Sequence, residues 1–396
     1  MAQPTPLDCC LRKCIQGDLD TSMSRVEVRT FDSGATDEER QSMEVCWLED
    51  NEAVFHDICW KALLDSVRSD NPFTLSRLEK ELLKEAAKSA EYCDSYQKVQ
   101  YECSRVARML KSANYAVMFT GAGISTSAGI GDFRGKAGKW TERDRERMHG
   151  ASKNKRSQGF VYEQLRPTYT HEAIYKLLQL GYIKYIISQN TDSLHRLSGV
   201  PRDKISELHG NSFHEKCEKC GARYERPYAM RLSKKNSFLQ PRICVHCHFN
   251  HRTGRRCERK GCDGLLINTI INFGDSLEKR VLSTADEHAK KSDLILCLGS
   301  SLRVIPASDF VEKGQPPLRL VLCNRQPTPF DHLCYTVDEN EGRLGSRIFY
   351  DCDSVMHELM KLLLLPDDLS EWEDGREKRM EQYAAQREMS KNGECI

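Results

Sequence analysis

The sequence predicts an α/β protein, a parallel sheet with helices on both faces, interrupted by a small cysteine-rich insertion. Three features carry this reading. Short runs that are apolar throughout alternate with segments of helical period, the pattern of strands buried on both faces. The runs end in Gly, Ser, Asn and Gln, residues suited to ligand-binding turns at the carboxyl edge of such a sheet. From about residue 215 to 268 the alternation gives way to paired cysteines.

Taken in order, residues 1–73 are irregular, rich in cysteine and acidic stretches, and close on the boundary signal "NPFT". From 75 to about 113 the pattern is helical, with Val99, Cys103, Val106, Ala107 and Leu110 on one face. "YAVMFT" is a short apolar strand, "HEAIYKLLQLG" a helix stopped by Gly181, and "YIKYIIS" the next strand. After the insertion, "LEKRVLSTADEHAKKSD" reads as a helix, "LILCLGSS" and "LRLVLCN" as strands, and "SVMHELMKLLLL" as a closing helix. The expected units are 1–73, an N-terminal interaction module; 74–214 and 269–365, the two parts of the sheet domain; 215–268, a metal-binding module; and 366–396, a charged, partly helical tail.

The composition narrows the function. Of 396 residues, 39% are hydrophobic and 30% charged, enough apolar material for a core. No run of about 18 apolar residues occurs and the N-terminus lacks a signal-peptide pattern, so neither a membrane span nor secretion is expected. A net charge of +1 gives no indication of direct nucleic-acid binding, and the basic residues of "RDRERMHGASKNKR" are interleaved with Asp144 and Glu146. Eighteen cysteines without a secretory signal point to metal rather than disulfides.

Four constellations carry chemistry. The first, "MFTGAGISTSAGIGDFRG", is a strand running into Gly121 and Gly123, whose lack of a side chain lets backbone approach a pyrophosphate. Its glycines do not follow the G-x-G-x-x-G of dinucleotide dehydrogenases, and Asp132, Phe133 and Arg134 follow at once. An aromatic between an acid and a base has no use in hydride transfer, but it can cover a sugar whose glycosidic bond is being cleaved. The second, "SQNTDSLHRLSG", puts Gln189, Asn190 and Asp192 at a strand end facing the same crevice. The third, "SELHGNSF", offers His209 as a general base beside the slender Gly210. The fourth is metal spacing: Cys217-x2-Cys220 is a zinc-knuckle half-site that needs a second pair. Spacing alone favours Cys244 and Cys247 over Cys257 and Cys262, and leaves the choice open.

Together "GAGIS", "GDFRG", "SQNTDSLH", "ELHGN", "CxxC", "NFGD" and "LGSSL" resemble the sirtuins, over roughly residues 85–365. "ISELHGNSFHEKCEKC" and "HRTGRRC…TIINFGD" resemble most the class IV branch, the sixth and seventh vertebrate sirtuins. The resemblance implies a Rossmann-like domain with a small inserted zinc-binding domain. It implies an NAD-dependent protein-lysine deacylase (deacetylase), a transferase that consumes NAD and releases nicotinamide and O-acyl-ADP-ribose. His209 is then the general base, Asn190 orders water and ribose, and Asp192 holds the nicotinamide amide. Gly121, Ala122, Gly123, Ser125, Asp132, Phe133, Arg134 and Gln189 line the pyrophosphate and ribose pockets. Gly299, Ser300, Ser301, Asn324, Arg325, Gln326 and Cys352 take the adenosine half. Ile271, Phe273 and Gly274 flank the acyl-lysine substrate.

The same resemblance places the second zinc pair on Cys257 and Cys262, through "TGRRC", as a structural site. Cys244 and Cys247 are then either unused or a second site. Three departures stand out: Gly131 replaces a usual proline, Cys257-x4-Cys262 is wide, and Asp275 replaces glutamate after "FG". The implied partner is an acyl-lysine protein such as a histone, on chromatin in the nucleus, with the cytoplasm as the alternative location. Competing readings are mono-ADP-ribosyl transfer from the same site and a chromatin-associated scaffold with weak catalysis. Outside the resemblance, Cys10, Cys14, Cys46, His56 and Cys59 either hold one zinc or are ordinary buried cysteines.

Overall fold

The computed structural model describes residues 23–27, 52–56, 63, 90–131, 164–230, 242–339 and 342–389. The expected pocket residues Asp132, Phe133 and Arg134 lie outside the described residues, as do Cys10, Cys14, Cys46 and Cys59 and the side chain of His56.

Strands Met23–Glu27 (β1), Glu52–His56 (β2) and Glu91–Cys93 (β3) form an antiparallel sheet in the order β2-β1-β3. Tyr96–Ser112 is the first long helix (α1), started by Ser95, whose side chain accepts from the Lys98 amide at 3.3 Å. The expected helical face is its buried face, but at residues 91–93 the chain pairs as a strand instead. Then follow Ala116–Thr120 (β4), a 3-10 segment Ala122–Ala128, Tyr169–Gln179 (α2), Ile183–Ser188 (β5), Leu194–Leu197 (α3) and Ile205–Glu207 (β6). His214–Cys217 (β7), Arg223–Glu225 (β8), Arg252–Arg256 (β9) and Leu265–Asn268 (β10) make a separate antiparallel sheet, order β8-β7-β10-β9. The chain returns through Lys279–Lys291 (α4), Leu294–Leu298 (β11), Leu320–Cys323 (β12), the hairpin Val337–Asp338 (β13) with Gly342–Arg343 (β14), and Ser346–Ile348 (β15). Cys352–Leu363 (α5), Pro366–Asp374 (α6) and Arg376–Met389 (α7) complete it.

The central sheet has the order β15-β12-β11-β4-β5-β6, and every neighbouring pair is parallel. Its strands are apolar throughout because alternate residues enter two different cores. Ala116, Met118, Ile186, Leu294 and Leu296 meet helices α1, α2 and α5 on one face. Val117, Phe119, Tyr185, Ile187, Ile295 and Cys297 meet Ala285 and Ala289 of α4, with Phe310 and Val311, on the other. The sheet is therefore covered on both sides. The strand order reverses direction between β4 and β11, and at such a reversal the loops diverge and leave a crevice at the carboxyl edge.

Helices α6 and α7 pack back on the body. Glu172 of α2, buried, accepts from Arg376 Nε at 2.8 Å, Arg379 Nε at 2.7 Å and Tyr383 OH at 3.3 Å. Arg387 lies 3.8 Å from the ring centroid of Phe213. Among the described residues no helix is long and apolar enough to cross a membrane.

Candidate functional site

The crevice is assembled from the loops after β4, β5, β6 and β11. Gly121 and Gly123 are needed there because the loops nest on each other. A Cβ on Gly121 would meet the Gly299 carbonyl oxygen at 2.6 Å, and one on Gly123 the Gly299 Cα at 2.7 Å. Their amides donate to the carbonyls of Leu298 and Gly299 at 3.0 and 2.8 Å. The sequence reading gave these glycines to a pyrophosphate; the structure engages both amides within the protein. The segment after Gly121, Ala122–Ala128, runs as a 3-10 turn rather than an α-helix.

The loop after β5 crosses beneath. Asn190, buried, donates through Nδ2 to the Gly121 carbonyl at 3.0 Å and to Ser125 Oγ at 3.3 Å. Asp192, also buried, accepts from Ser125 Oγ at 2.8 Å and from the Leu194 amide, at the start of the short helix α3, at 2.8 Å. Ser125, Asn190 and Asp192 thus form one unit tying the β4 loop to the β5 loop. Gln189 spans toward β11, where Ser300 Oγ donates to its Oε1 at 3.4 Å. Its Nε2 is buried with no protein partner. A buried donor without an acceptor is costly, so this one is left available to a bound hydroxyl or phosphate oxygen.

His209 stands on the turn after β6. Its Nδ1 lies 3.0 Å from the Gln189 carbonyl. A carbonyl only accepts, so Nδ1 carries the hydrogen and Nε2 is left as the basic atom. Burial depresses the imidazole pKa, and the bond to Gln189 opposes that shift only in part. The ring is therefore neutral near pH 7. Gly210 makes this turn possible: its φ is +78°, and a Cβ would fall 1.8 Å from the Thr269 carbonyl oxygen. The His209 carbonyl in turn accepts from the Ile271 amide at 3.0 Å, joining the turn to the segment holding Phe273 and Gly274. Phe273 projects, 66% exposed.

A cleft continues along the sheet edge. Gly123, Gly299, Asn324, Arg325, Gln326 and Cys352 line it, together with Glu91, Thr126, Tyr350 and Asp351, which sequence reasoning did not single out. Ser301 follows buried Ser300 on the same loop, and Ala122 opens the 3-10 turn. Glu91 reaches the cleft because β3 is fastened to its floor: the Tyr92 amide donates to the Arg325 carbonyl at 2.8 Å. Arg347 was also missed. Fully buried, it donates to Asp331 Oδ1 at 2.8 Å and to the carbonyls of Asn324 and Gln326 at 2.9 and 2.8 Å, shaping the loop that lines the cleft. No motif surrounds it; only the fold shows its partners.

At the far end of the β7–β10 sheet, Cys217, Cys220, Cys257 and Cys262 converge with all four sulfurs within 4.8 Å of one another. Cys217 and Cys262 lie 3.7 Å apart, Cys220 and Cys257 3.6 Å. A tetrahedron with metal–sulfur bonds of about 2.3 Å has edges of about 3.8 Å, so the set fits a four-thiolate zinc. Cys244 and Cys247 are not part of this cluster.

Comparison with known proteins now gives the arrangement a context. The Sir2 family model matches residues 121–306. The chain is 36% identical over 244 residues to "NAD-dependent protein deacetylase SRT1" of Arabidopsis thaliana, 61% of this chain and 47% of that protein. It is 36% identical over 239 residues to "NAD-dependent protein deacetylase Sirt6" of Drosophila melanogaster, 60% of this chain and 71% of that protein. To "NAD-dependent protein deacetylase sirtuin-7" of Homo sapiens it is 34% identical over 295 residues, 72% of this chain and 66% of that protein. The chain spans about half the length of the plant relatives it matches. The matched segment holds the loop motifs from Gly121 to Leu302 together with the four-cysteine lobe, and the chain belongs to the Sir2 family, the sirtuins.

Proposed function

We propose that this protein is an NAD-dependent protein-lysine deacylase. The observation that carries the reading is the neutral His209, its Nδ1 bonded to the Gln189 carbonyl and its Nε2 left as base, beside the unpartnered Gln189 Nε2 in a crevice shared by four loops. The relatives' names, NAD-dependent protein deacetylases, support it.

NAD is a substrate here. Gly299, Ser300, Ser301, Asn324, Arg325, Gln326 and Cys352 take its adenosine half, with the Glu91 and Asp351 carboxylates as acceptors for ribose hydroxyls. Gly121, Ala122, Gly123, Ser125 and Gln189 meet the diphosphate and second ribose, joined by Asp132, Phe133 and Arg134. Asn190 and Asp192, braced by Ser125, orient ribose, water and the nicotinamide amide. The acyl-lysine lies along Ile271, Phe273 and Gly274, and its amide oxygen attacks C1′ as the bond to nicotinamide breaks. His209 Nε2 removes a proton from a ribose hydroxyl of the resulting alkylimidate; that oxygen attacks the imidate carbon, the C–N bond breaks to release the lysine amine, and a water adds to the same carbon to give O-acyl-ADP-ribose. Positioning the two substrates face to face lowers most of the barrier. The four-cysteine zinc leaves no open coordination position, so it holds the lobe and takes no part in the chemistry.

A nuclear protein acting on histone lysines is the finer form of the proposal, supported by the class IV resemblance. The test incubates the purified protein with NAD and acetyl, myristoyl and succinyl histone peptides and follows products by mass spectrometry. Nicotinamide with O-acyl-ADP-ribose is the expected outcome. ADP-ribose attached to protein indicates transferase activity instead, and NAD binding without either product indicates a scaffold.

A further inference from the structure

The insertion between β8 and β9 meets the segment after β10 in a second convergence of ligands. Cys244, Cys247, His251 and Asp275 place one donor atom each within 4.8 Å of all the others. Cys247 Sγ lies 3.1 Å from His251 Nε2, Cys244 Sγ 3.2 Å from Asp275 Oδ1, and His251 Nε2 3.3 Å from Asp275 Oδ2. Bonds of about 2.3 Å to sulfur and about 2.0–2.2 Å to nitrogen and oxygen give tetrahedral edges of about 3.3–3.8 Å. These three separations are at that size or slightly inside it, and the others lie within 4.8 Å.

Two further observations distinguish it from a chance grouping. The backbone of 244–249 repeats the turn of the four-cysteine site. There, the Cys217 amide donates to the Ala222 carbonyl at 2.8 Å, the Gly221 amide to the Cys217 carbonyl at 3.1 Å, and the Lys219 amide to Cys217 Sγ at 3.4 Å. Here, the Cys244 amide donates to the Phe249 carbonyl at 2.9 Å, the His248 amide to the Cys244 carbonyl at 3.0 Å, and the His246 amide to Cys244 Sγ at 3.5 Å. Gly221 adopts φ +70° and His248 φ +62°, so a side chain is held in the left-handed region where glycine serves in the other turn. Each ligand also has a supporting partner. His251 Nδ1 is 3.2 Å from Asn268 Oδ1, which leaves Nε2 for a metal, and the Asn272 amide donates to Asp275 Oδ2 at 3.0 Å.

We propose a second structural zinc site, formed by Cys244, Cys247, His251 and Asp275. Four protein ligands close the coordination sphere, and the borderline-soft set of two thiolates, one imidazole and one carboxylate favours zinc over magnesium or calcium. Its placement gives it a consequence, which rests on the deacylase reading. Asp275 comes directly after Phe273 and Gly274, and Gly274, at φ +93°, packs against the insertion, where a Cβ would meet the His246 carbonyl oxygen at 2.7 Å. The metal therefore clamps the peptide-flanking segment to the insertion.

The experiment measures zinc per chain on the full protein, then on Cys244→Ser/Cys247→Ser and on Asp275→Ala. Two zinc atoms are expected for the unchanged chain and one for the double variant, which retains its fold by circular dichroism because the four-thiolate site is intact. In cobalt-loaded protein, thiolate charge-transfer absorbance should drop by about a third in the double variant, two of six thiolates being lost. The KM for acyl-peptide should rise several-fold with the KM for NAD unchanged. One zinc in the unchanged chain, or an unchanged count in the double variant, overturns the site. A peptide KM that does not move when the second zinc is lost overturns the clamp. Two zinc atoms in a protein that never deacylates would leave the metal site standing and overturn the deacylase reading instead.

Discussion

His209 shows how one hydrogen bond sets a chemical role. The Gln189 carbonyl fixes the tautomer and burial holds the pKa below the usual histidine value of about 6.5. As the proposed base, His209 must be neutral to act, so kcat/KM should fall as pH drops through this depressed pKa and stay flat above it. The acid limb therefore lies at lower pH than an exposed histidine would give; a limb at or above about 6.5 would contradict the assignment. His209→Tyr should reduce turnover by about 10²–10⁴-fold with NAD binding retained, as read by single-turnover assay beside equilibrium binding. Asn190, Asp192 and His209 were legible because each stands in a motif at a strand end. Arg347 was not, since its value comes from carbonyls of the loop after β12, which lies elsewhere in the chain.

Among the elements, the two loops after β4 and β11 behave as one piece. Gly299 has φ +65°, and a Cβ there would meet the Ile124 nitrogen at 2.5 Å and the Gly123 Cα at 2.8 Å. Backbone cannot yield as a flexible side chain can. Gly299→Ala should therefore cost about 1–3 kcal/mol in urea denaturation and weaken NAD binding, because both loops border the crevice. A variant with unchanged denaturation midpoint and NAD affinity would show that the loops part without penalty. The sequence marked these glycines as special from their strand-end position. Their reason, contact with each other, is a long-range one that spacing along the chain does not contain. The same holds at residues 91–93, which read as helix and pair as strand because β1 lies alongside.

Over the whole molecule, α6 and α7 are held to the sheet domain by charge as well as packing. Glu172 is buried, and its carboxylate depends on Arg376, Arg379 and Tyr383. Replacing both arginines with alanine leaves the carboxylate short of donors and should destabilise the protein by about 3 kcal/mol; Arg376 is partly exposed, which keeps the figure at the low end. Adding Glu172→Gln to that double variant removes the buried charge and should restore part of the loss. No recovery in the triple variant would mean that the carboxylate is solvated by other groups. Residues 366–389 are polar in composition, and their helices acquire a buried side through Tyr383 and Arg387.

By itself the sequence determined the parallel α/β architecture, the strand-end loops, the placement of His209 on one of them and the first cysteine pair, because each of these is written locally, in hydrophobic period or in residues a few positions apart. The tertiary structure decided the pairings across the chain: it brings Cys257 and Cys262, which spacing left open and the family resemblance favoured, to Cys217 and Cys220, joins His251 and Asp275 to Cys244 and Cys247, and sets Glu91 and Arg347 at the cleft. Those contacts join segments tens to hundreds of residues apart, and loop closure over such lengths is specified by the packing of the whole fold rather than by any local pattern.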